Sequence, residues 1–223
     1  MTLYENVDLY IEGGERHDLS VCFLRIKDLY PYRSHVKALV KTSTGFVEQR
    51  VPTPRVIHNR AIYSNLAYQR ELAELAASGL QIFNGWNRYG KHCIHELLMR
   101  QIELRPHLPA TNKATLSNLQ KMMQRFDSLM IKPDIGSLGA GIMKMDRTDR
   151  GWRLVSPRAA SSANRKWRIR NITARIPHFL IDAIQKKPYL IQQSLPLATF
   201  EGRPFDLRVA VQRGLDGDWQ VTG

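Results

Sequence analysis

The sequence predicts a mixed α/β and α+β fold, on three observations. Strand-like and helix-like segments alternate between residues 51 and 108, a glycine-rich loop follows a short apolar strand at 129–133, and 205–212 alternates charged and apolar residues. Each element follows from its local pattern.

Residues 1–50 carry the apolar runs Val21-Cys-Phe-Leu and Val36-Lys-Ala-Leu-Val between turn signals at Gly13-Gly14, Pro31 and Gly45, which predicts a β-rich segment. Pro52 and Pro54 then lead into Val56-Ile-His-Asn-Arg60, a buried strand with a polar end. Residues 65–78 place Leu and Ala at helical spacing and stop at Gly79. Leu80-Gln-Ile-Phe-Asn84 reads as a strand and 88–100 as a helix, giving a small α/β layer with parallel strands. Pro106 and Pro109 interrupt that alternation, and Thr111 can cap or turn the chain into a helix at 116–126. Met122 and Met123 in that helix fill a core rather than bind a soft metal. Trp152, Val155, Trp167 and Ile169 mark further strands, 177–185 a helix, and Tyr189-Leu-Ile-Gln192-Gln193 a buried strand ending in amides. Phe205 to Gln212 reads as a half-buried strand with an unpaired edge, and Asp216-Gly217 as a hairpin turn into Trp219-Gln-Val.

The chain has 223 residues, 43% of them hydrophobic, enough for one large domain or two small ones. Its formal charge is +13, and 144–178 holds ten basic against two acidic side chains, so +8 lies there. Such a run attracts polyanions or serves as a solvated surface. Cys22 and Cys93 are too few for a disulfide framework or a cysteine metal site. No secretory leader and no membrane-spanning stretch is expected, so the expected product is cytoplasmic, with no membrane partner.

The chemistry concentrates at Ile131-Lys-Pro-Asp-Ile-Gly-Ser-Leu-Gly-Ala-Gly-Ile142. Glycines let backbone amides face an anion without a Cβ in the way, and Lys132 on the preceding strand supplies a point charge for phosphate. A P-loop is excluded because no Gly-Lys-Ser/Thr follows, and a dinucleotide fingerprint because the spacing is GxxGxG. What remains is a kinase-like or ligase-like phosphate grip, or a plain glycine-rich hairpin turn. Later elements complete a nucleotide set. Gln192, Gln193 and the backbone through Leu195 suit an adenine edge, Asp206 a ribose hydroxyl, and Arg208 charge on a transferring phosphoryl group.

Taken in order, Val56-Ile-His-Asn-Arg60, Ile82-Phe-Asn84, Leu108-Pro-Ala-Thr111, the glycine loop, Leu190-Ile-Gln-Gln193, Gly202-Arg-Pro-Phe-Asp-Leu-Arg208 and Trp219-Gln-Val-Thr-Gly223 resemble the ATP-grasp enzymes. Within that group they resemble the YheC/YheD-type endospore coat-associated branch. The resemblance covers roughly 50–223 and, after the β-rich segment at 1–50, implies a pre-ATP-grasp α/β domain at 51–108 and an ATP-grasp domain at 109–223 with an incomplete C-terminus. It further implies ATP as ligand and carboxylate–amine or carboxylate–thiol ligation through an acylphosphate. Lys132 resembles the family's phosphate-contacting lysine, and Gly136, Ser137, Gly139 and Gly141 its mobile loop. Gln192 stands where many members carry Glu, and Arg208 resembles the arginine of their Asp-x-Arg pair, making it the candidate catalytic residue. Lys91 falls where related ligases place a helix lysine, although a solvated lysine is the plainer reading.

The family's Mg2+ ligands come from strands after the Asp-x-Arg strand, so this chain is expected to be a fragment with an incomplete C-terminal sheet and no metal ligands of its own. The alternatives are a spore-coat structural protein without turnover and a basic polyanion- or nucleic-acid-binding module. No nucleic-acid-binding signature accompanies the basic run, so nucleic acid is not the expected partner. ATP, an acidic small molecule or peptide, and spore coat proteins are.

Overall fold

The computed structural model describes residues 6–62, 66–136, 139–157, 167–173 and 175–222. Ser137 and Gly223, named above, lie outside them, as do Arg158, Arg165 and Lys166 of the basic run at 144–178. The chain divides into two units, residues 1–88 and 89–223.

In the first unit, α1 (Val7–Arg16) is capped by Asn6, whose side chain accepts from Asp8 N at 3.2 Å. The Gly13-Gly14 pair expected as a turn therefore lies inside a helix. Gly14 is there for space, since a Cβ would sit 2.4 Å from Val21 Cγ2 and 2.9 Å from Leu19 O where the chain doubles back. Strands β1 (His35–Thr42) and β2 (Gly45–Pro52) form an antiparallel hairpin closing at Thr42 and Gly45. The Val21-Cys-Phe-Leu run contributes only a single bridge, Phe23 to Leu39, rather than a strand. β3 (Val56–His58), α2 (Leu66–Ala77) and β4 (Gln81–Phe83) make the expected strand–helix–strand, with β3 and β4 parallel. Ile26, Leu29, Val36, Leu72 and Leu75 form this unit's core.

The second unit starts with α3 (Lys91–Met99), a 3-10 segment at Ile102–His107 and β5 (Thr111–Lys113). Helix α4 (Leu116–Arg125) is capped by Thr115, whose hydroxyl accepts from Asn118 N at 3.1 Å; Thr111 belongs to β5 instead. Then follow β6 (Ser128–Pro133), β7 (Met143–Thr148), β8 (Gly151–Pro157), β9 (Trp167–Ile172), α5 (His178–Lys186) and β10 (Tyr189–Gln193). These strands form one six-stranded sheet in the order β5-β10-β6-β7-β8-β9, every pair antiparallel.

The side-chain alternation of a strand gives the sheet two different faces. One carries Leu129, Ile131, Met145, Leu154 and Ile191, each wholly buried with Leu119 of α4 and Leu180 of α5. The other carries Met130, Lys132, Lys144 and Gln192, none of them buried.

Beyond β10, β11 (Thr199–Phe200) pairs with β12 (Arg203–Pro204), and β13 (Val211–Arg213) with β14 (Trp219–Val221). The Asp216-Gly217 turn forms as expected, with Gly217 at φ +84°. The half-buried strand expected over 205–212 does not form. Residues 205–210 are exposed irregular chain, and only Val211 to Arg213 find a partner strand. Residue alternation supplies a strand's two faces, but the strand itself needs a neighbour's ladder.

Candidate functional site

Lys132 is the penultimate residue of β6, and its direct partner on β10 is Leu190. Gln192 stands two residues along β10, on the same face and within diagonal reach of a long side chain. Gln192 is in turn directly opposite Thr111 of β5. Three strands thus bring three polar side chains into one row. Lys132 Nζ donates to Gln192 Oε1 at 2.7 Å, and Gln192 Nε2 donates to Thr111 Oγ1 at 3.0 Å. Both ends of the Gln192 amide are engaged, so this side chain orients the ammonium.

Lys132 is half-buried, and among the described residues no carboxylate pairs with it. Desolvation holds its pKa below the ordinary lysine value, and the charge of Lys91 lowers it further. The site is a partly desolvated cation, held by a neutral amide and acted on by the charge of a second.

Lys91 is no solvated helix lysine. Its Nζ donates to Pro133 O at 3.0 Å, Asp134 O at 3.2 Å and Gly136 O at 3.0 Å, binding the root of the glycine loop by its carbonyls. The backbone completes the junction. Lys91 N donates to Asp134 O at 3.0 Å, and His92 N donates to Asp134 Oδ1 at 2.8 Å, so Asp134 caps α3 from outside it. Gly90 makes room, since a Cβ there would lie 2.4 Å from Asp134 Oδ2. Sequence reasoning passed over Thr111, Asp134 and the carbonyl contacts of Lys91. No local spacing signals these contacts, since His92 and Asp134 lie 42 residues apart.

Gly136 follows this root, and Gly139 and Gly141 have φ of +69° and +72°. A side chain at Gly141 would meet Pro133 Cγ at 3.0 Å and Tyr189 Oη at 3.1 Å, so glycine is required twice over. On the adenine side, Gln193 N donates to Ala110 O at 2.8 Å and Leu195 is exposed. Asp206 and Arg208 are exposed in the irregular run, and no hydrogen bond or ion pair joins either to Lys132 or Gln192 among the described residues. Among the described residues no group of three or more His, Cys, Asp or Glu side chains could hold a metal ion.

The basic segment is largely occupied internally. Arg147 donates to Asp127 Oδ1 at 2.6 Å and lies 4.7 Å over the Trp152 ring, and Arg170 lies 4.1 Å over Phe179. Asp146 accepts from Ser128 Oγ at 2.7 Å and pairs with Lys144 at 3.0 Å and Arg153 at 3.5 Å. Four of the segment's seven described basic side chains therefore have partners within the fold.

Desolvation tends to raise the Asp146 pKa, but the Ser128 and Lys144 hydrogen bonds and the neighbouring cations outweigh it and hold the group below the usual carboxylate range. A depressed folded-state pKa stabilises the protein above the unfolded value of about 3.9 and stops doing so as pH falls through the folded value. Asp146→Asn is accordingly expected to cost about 1 kcal/mol at pH 7. In urea titrations the gap from the unmutated chain should close as pH falls from about 5 to 2.

Lys132, Gln192 and Thr111 in one row on an antiparallel sheet, with the glycine loop following Lys132, define an α+β domain, and comparison with known proteins specifies its class. The model of YheC/D-like ATP-grasp domains matches residues 79–223, and the chain belongs to that family. It is 26% identical over 202 residues to the endospore coat-associated protein YheD of Bacillus subtilis (strain 168), an alignment covering 84% of this chain and 42% of that protein. The chain thus spans less than half the length of this curated relative. Among solved structures, the ATP-grasp ligase PsnB complexed with minimal precursor matches with a TM-score of 0.34 and 11% identity, over 97% of this chain and 86% of that one. The resemblance read from the motifs is thereby borne out at the level of the family. Among the described residues no helix is long and apolar enough to cross a membrane.

Proposed function

We propose that residues 89–223 bind ATP, with the phosphate chain held between the Lys132 ammonium and the glycine loop. The observation that carries this reading is the unneutralised cation. Lys132 is partly stripped of water, has the Gln192 amide oxygen as its only hydrogen-bond partner among the described residues, and feels the charge of Lys91. Holding a cation this way costs stability unless an anion completes the site. Triphosphate fits because its oxygens can accept from Lys132 and from loop amides freed of Cβ atoms.

The same reading gives Gln193 and the chain through Leu195 to the adenine, Asp206 to a ribose hydroxyl, and Arg208 to the transferring phosphoryl group. In the complete ligase fold a carboxylate oxygen attacks the γ-phosphorus and ADP leaves. An amine or thiol then attacks the acyl carbon and releases phosphate. Mg2+ would neutralise charge in the first step; the described residues offer no group of three or more His, Cys, Asp or Glu side chains for it. Family membership and the similarity to YheD support a ligase-like role linked to the spore coat. A polyanion-binding role has less support, since most described basic side chains of 144–178 are engaged internally.

The test is thermal unfolding with and without nucleotide. A ligand at 100 times its dissociation constant stabilises by about 2.7 kcal/mol. A rise in melting temperature with ATP, greater than with AMP, is expected. No rise at several times millimolar ATP would overturn the reading.

A further inference from the structure

We propose that Thr111 is a positioning residue for the phosphate grip: its hydroxyl fixes which way the Gln192 amide points, and through that amide it holds the Lys132 ammonium. This role rests on Lys132 being a phosphate ligand, as read above, and carries the site one strand further, to β5. A glutamine amide can be seated two ways, with its oxygen and nitrogen exchanged, and its neighbours choose between them. Lys132 brings only donors to that choice, whereas a threonine hydroxyl can donate or accept. A third bond settles the matter. Thr111 Oγ1 donates its single hydrogen to Pro109 O at 2.9 Å, which leaves the oxygen an acceptor toward Gln192 Nε2 at 3.0 Å. The amide oxygen is thereby turned to Lys132 Nζ at 2.7 Å.

The exchanged amide would set two donors against each other across that 2.7 Å and bring its oxygen to a hydroxyl whose hydrogen Pro109 already takes. All three bonds therefore run one way, from the ammonium to a backbone carbonyl. Hydrogen bonds aligned in this sense polarise one another, so a neutral chain eases the Lys132 charge without cancelling it. The ladder holds the relay in register. Thr111 lies directly opposite Gln192, and Gln193 N donates to Ala110 O at 2.8 Å beside it. Of the ammonium's three N–H bonds, one goes to Gln192 among the described residues, and two remain for phosphate oxygens. Their direction follows from where that one bond is held. Without it the charge swings on a flexible four-carbon stem.

Calorimetric titration with ATP and NMR exchange of the Gln192 side-chain amide protons, the latter without nucleotide, test this role in the full chain. Thr111→Val keeps the branched shape and removes the hydroxyl, and is expected to weaken ATP binding about tenfold. Thr111→Ser keeps the hydroxyl and should stay within about twofold of the unmutated chain. In a chain carrying Gln192→Leu, adding Thr111→Val should change little more, because no amide is left to seat. The Gln192 amide protons should exchange faster in Thr111→Val and stay protected in Thr111→Ser. Should the valine chain fail to fold, Thr111→Ala makes the same comparison. ATP binding undiminished in the hydroxyl-free variant, an equal loss whether or not Gln192 is present, or unchanged amide exchange overturns the proposal. No ATP binding by the unmutated chain sinks the phosphate reading instead, and the amide exchange of the nucleotide-free protein then still decides whether Thr111 seats Gln192.

Discussion

Replacing Lys132 by methionine is expected to abolish the rise in melting temperature caused by ATP while leaving the nucleotide-free protein as stable as before, or more stable by about 1 kcal/mol. The two effects have one cause. The ammonium is half-buried with no carboxylate paired with it among the described residues and the charge of Lys91 acting on it, so its charge opposes folding and waits on an anion. Methionine keeps most of the stem and removes the charge, at the cost of the bond to Gln192. The pH dependence follows with a definite sign. A lysine whose folded pKa is depressed binds fewer protons folded than unfolded, so stability rises with pH between the folded value and the unfolded value of about 10.4. The penalty is complete below the folded pKa and relieved above it. Any advantage of Lys132→Met at pH 7 should therefore shrink toward pH 10.4, and ATP protection of the unmutated chain should fade over the same range. Scanning fluorimetry across that range measures both. An unchanged ATP response in Lys132→Met would sink the assignment.

Lys91→Met is expected to act oppositely on the apo protein, destabilising residues 89–223 by about 1 to 3 kcal/mol. Three carbonyls at the loop root lose a charged donor, and methionine cannot replace it. The α3 backbone still reaches Asp134, so the helix should persist while the loop root loosens. Hydrogen exchange is the direct check. Faster exchange of the 134–136 amides, with little change along α4, separates a local role from general unfolding. Equal acceleration throughout the unit would refute it.

The strands and helices that were legible in the sequence are those whose pattern is settled by their own residues. Helix α2 between Asn65 and Gly79, β6 with alternating Leu129 and Ile131, and the Asp216-Gly217 turn are of this kind. Where a second segment decides, the pattern misleads. Thr111-Asn-Lys113 is polar and short, and is a strand only because β10 lies beside it. The Gly13-Gly14 pair looks like a turn until Val21 and Leu19 are seen to occupy the missing Cβ. Phe205 to Ala210 has a strand's alternation without a neighbour. The site divides the same way. Lys132 and the glycines are adjacent in sequence, and their composition points to phosphate. The bond from Lys132 to Gln192 crosses 60 residues and depends on a register that sets Leu190 opposite Lys132, which no local pattern encodes.

The insertion of β10 between β5 and β6 bears on how the protein is made. Strands β6 to β9 are sequential hairpins that a growing chain can zip together as they emerge from the ribosome. The middle strand arrives later, and Thr111 must wait 81 residues for Gln192. The row of Lys132, Gln192 and Thr111 is thus the last part of its sheet to be assembled during synthesis.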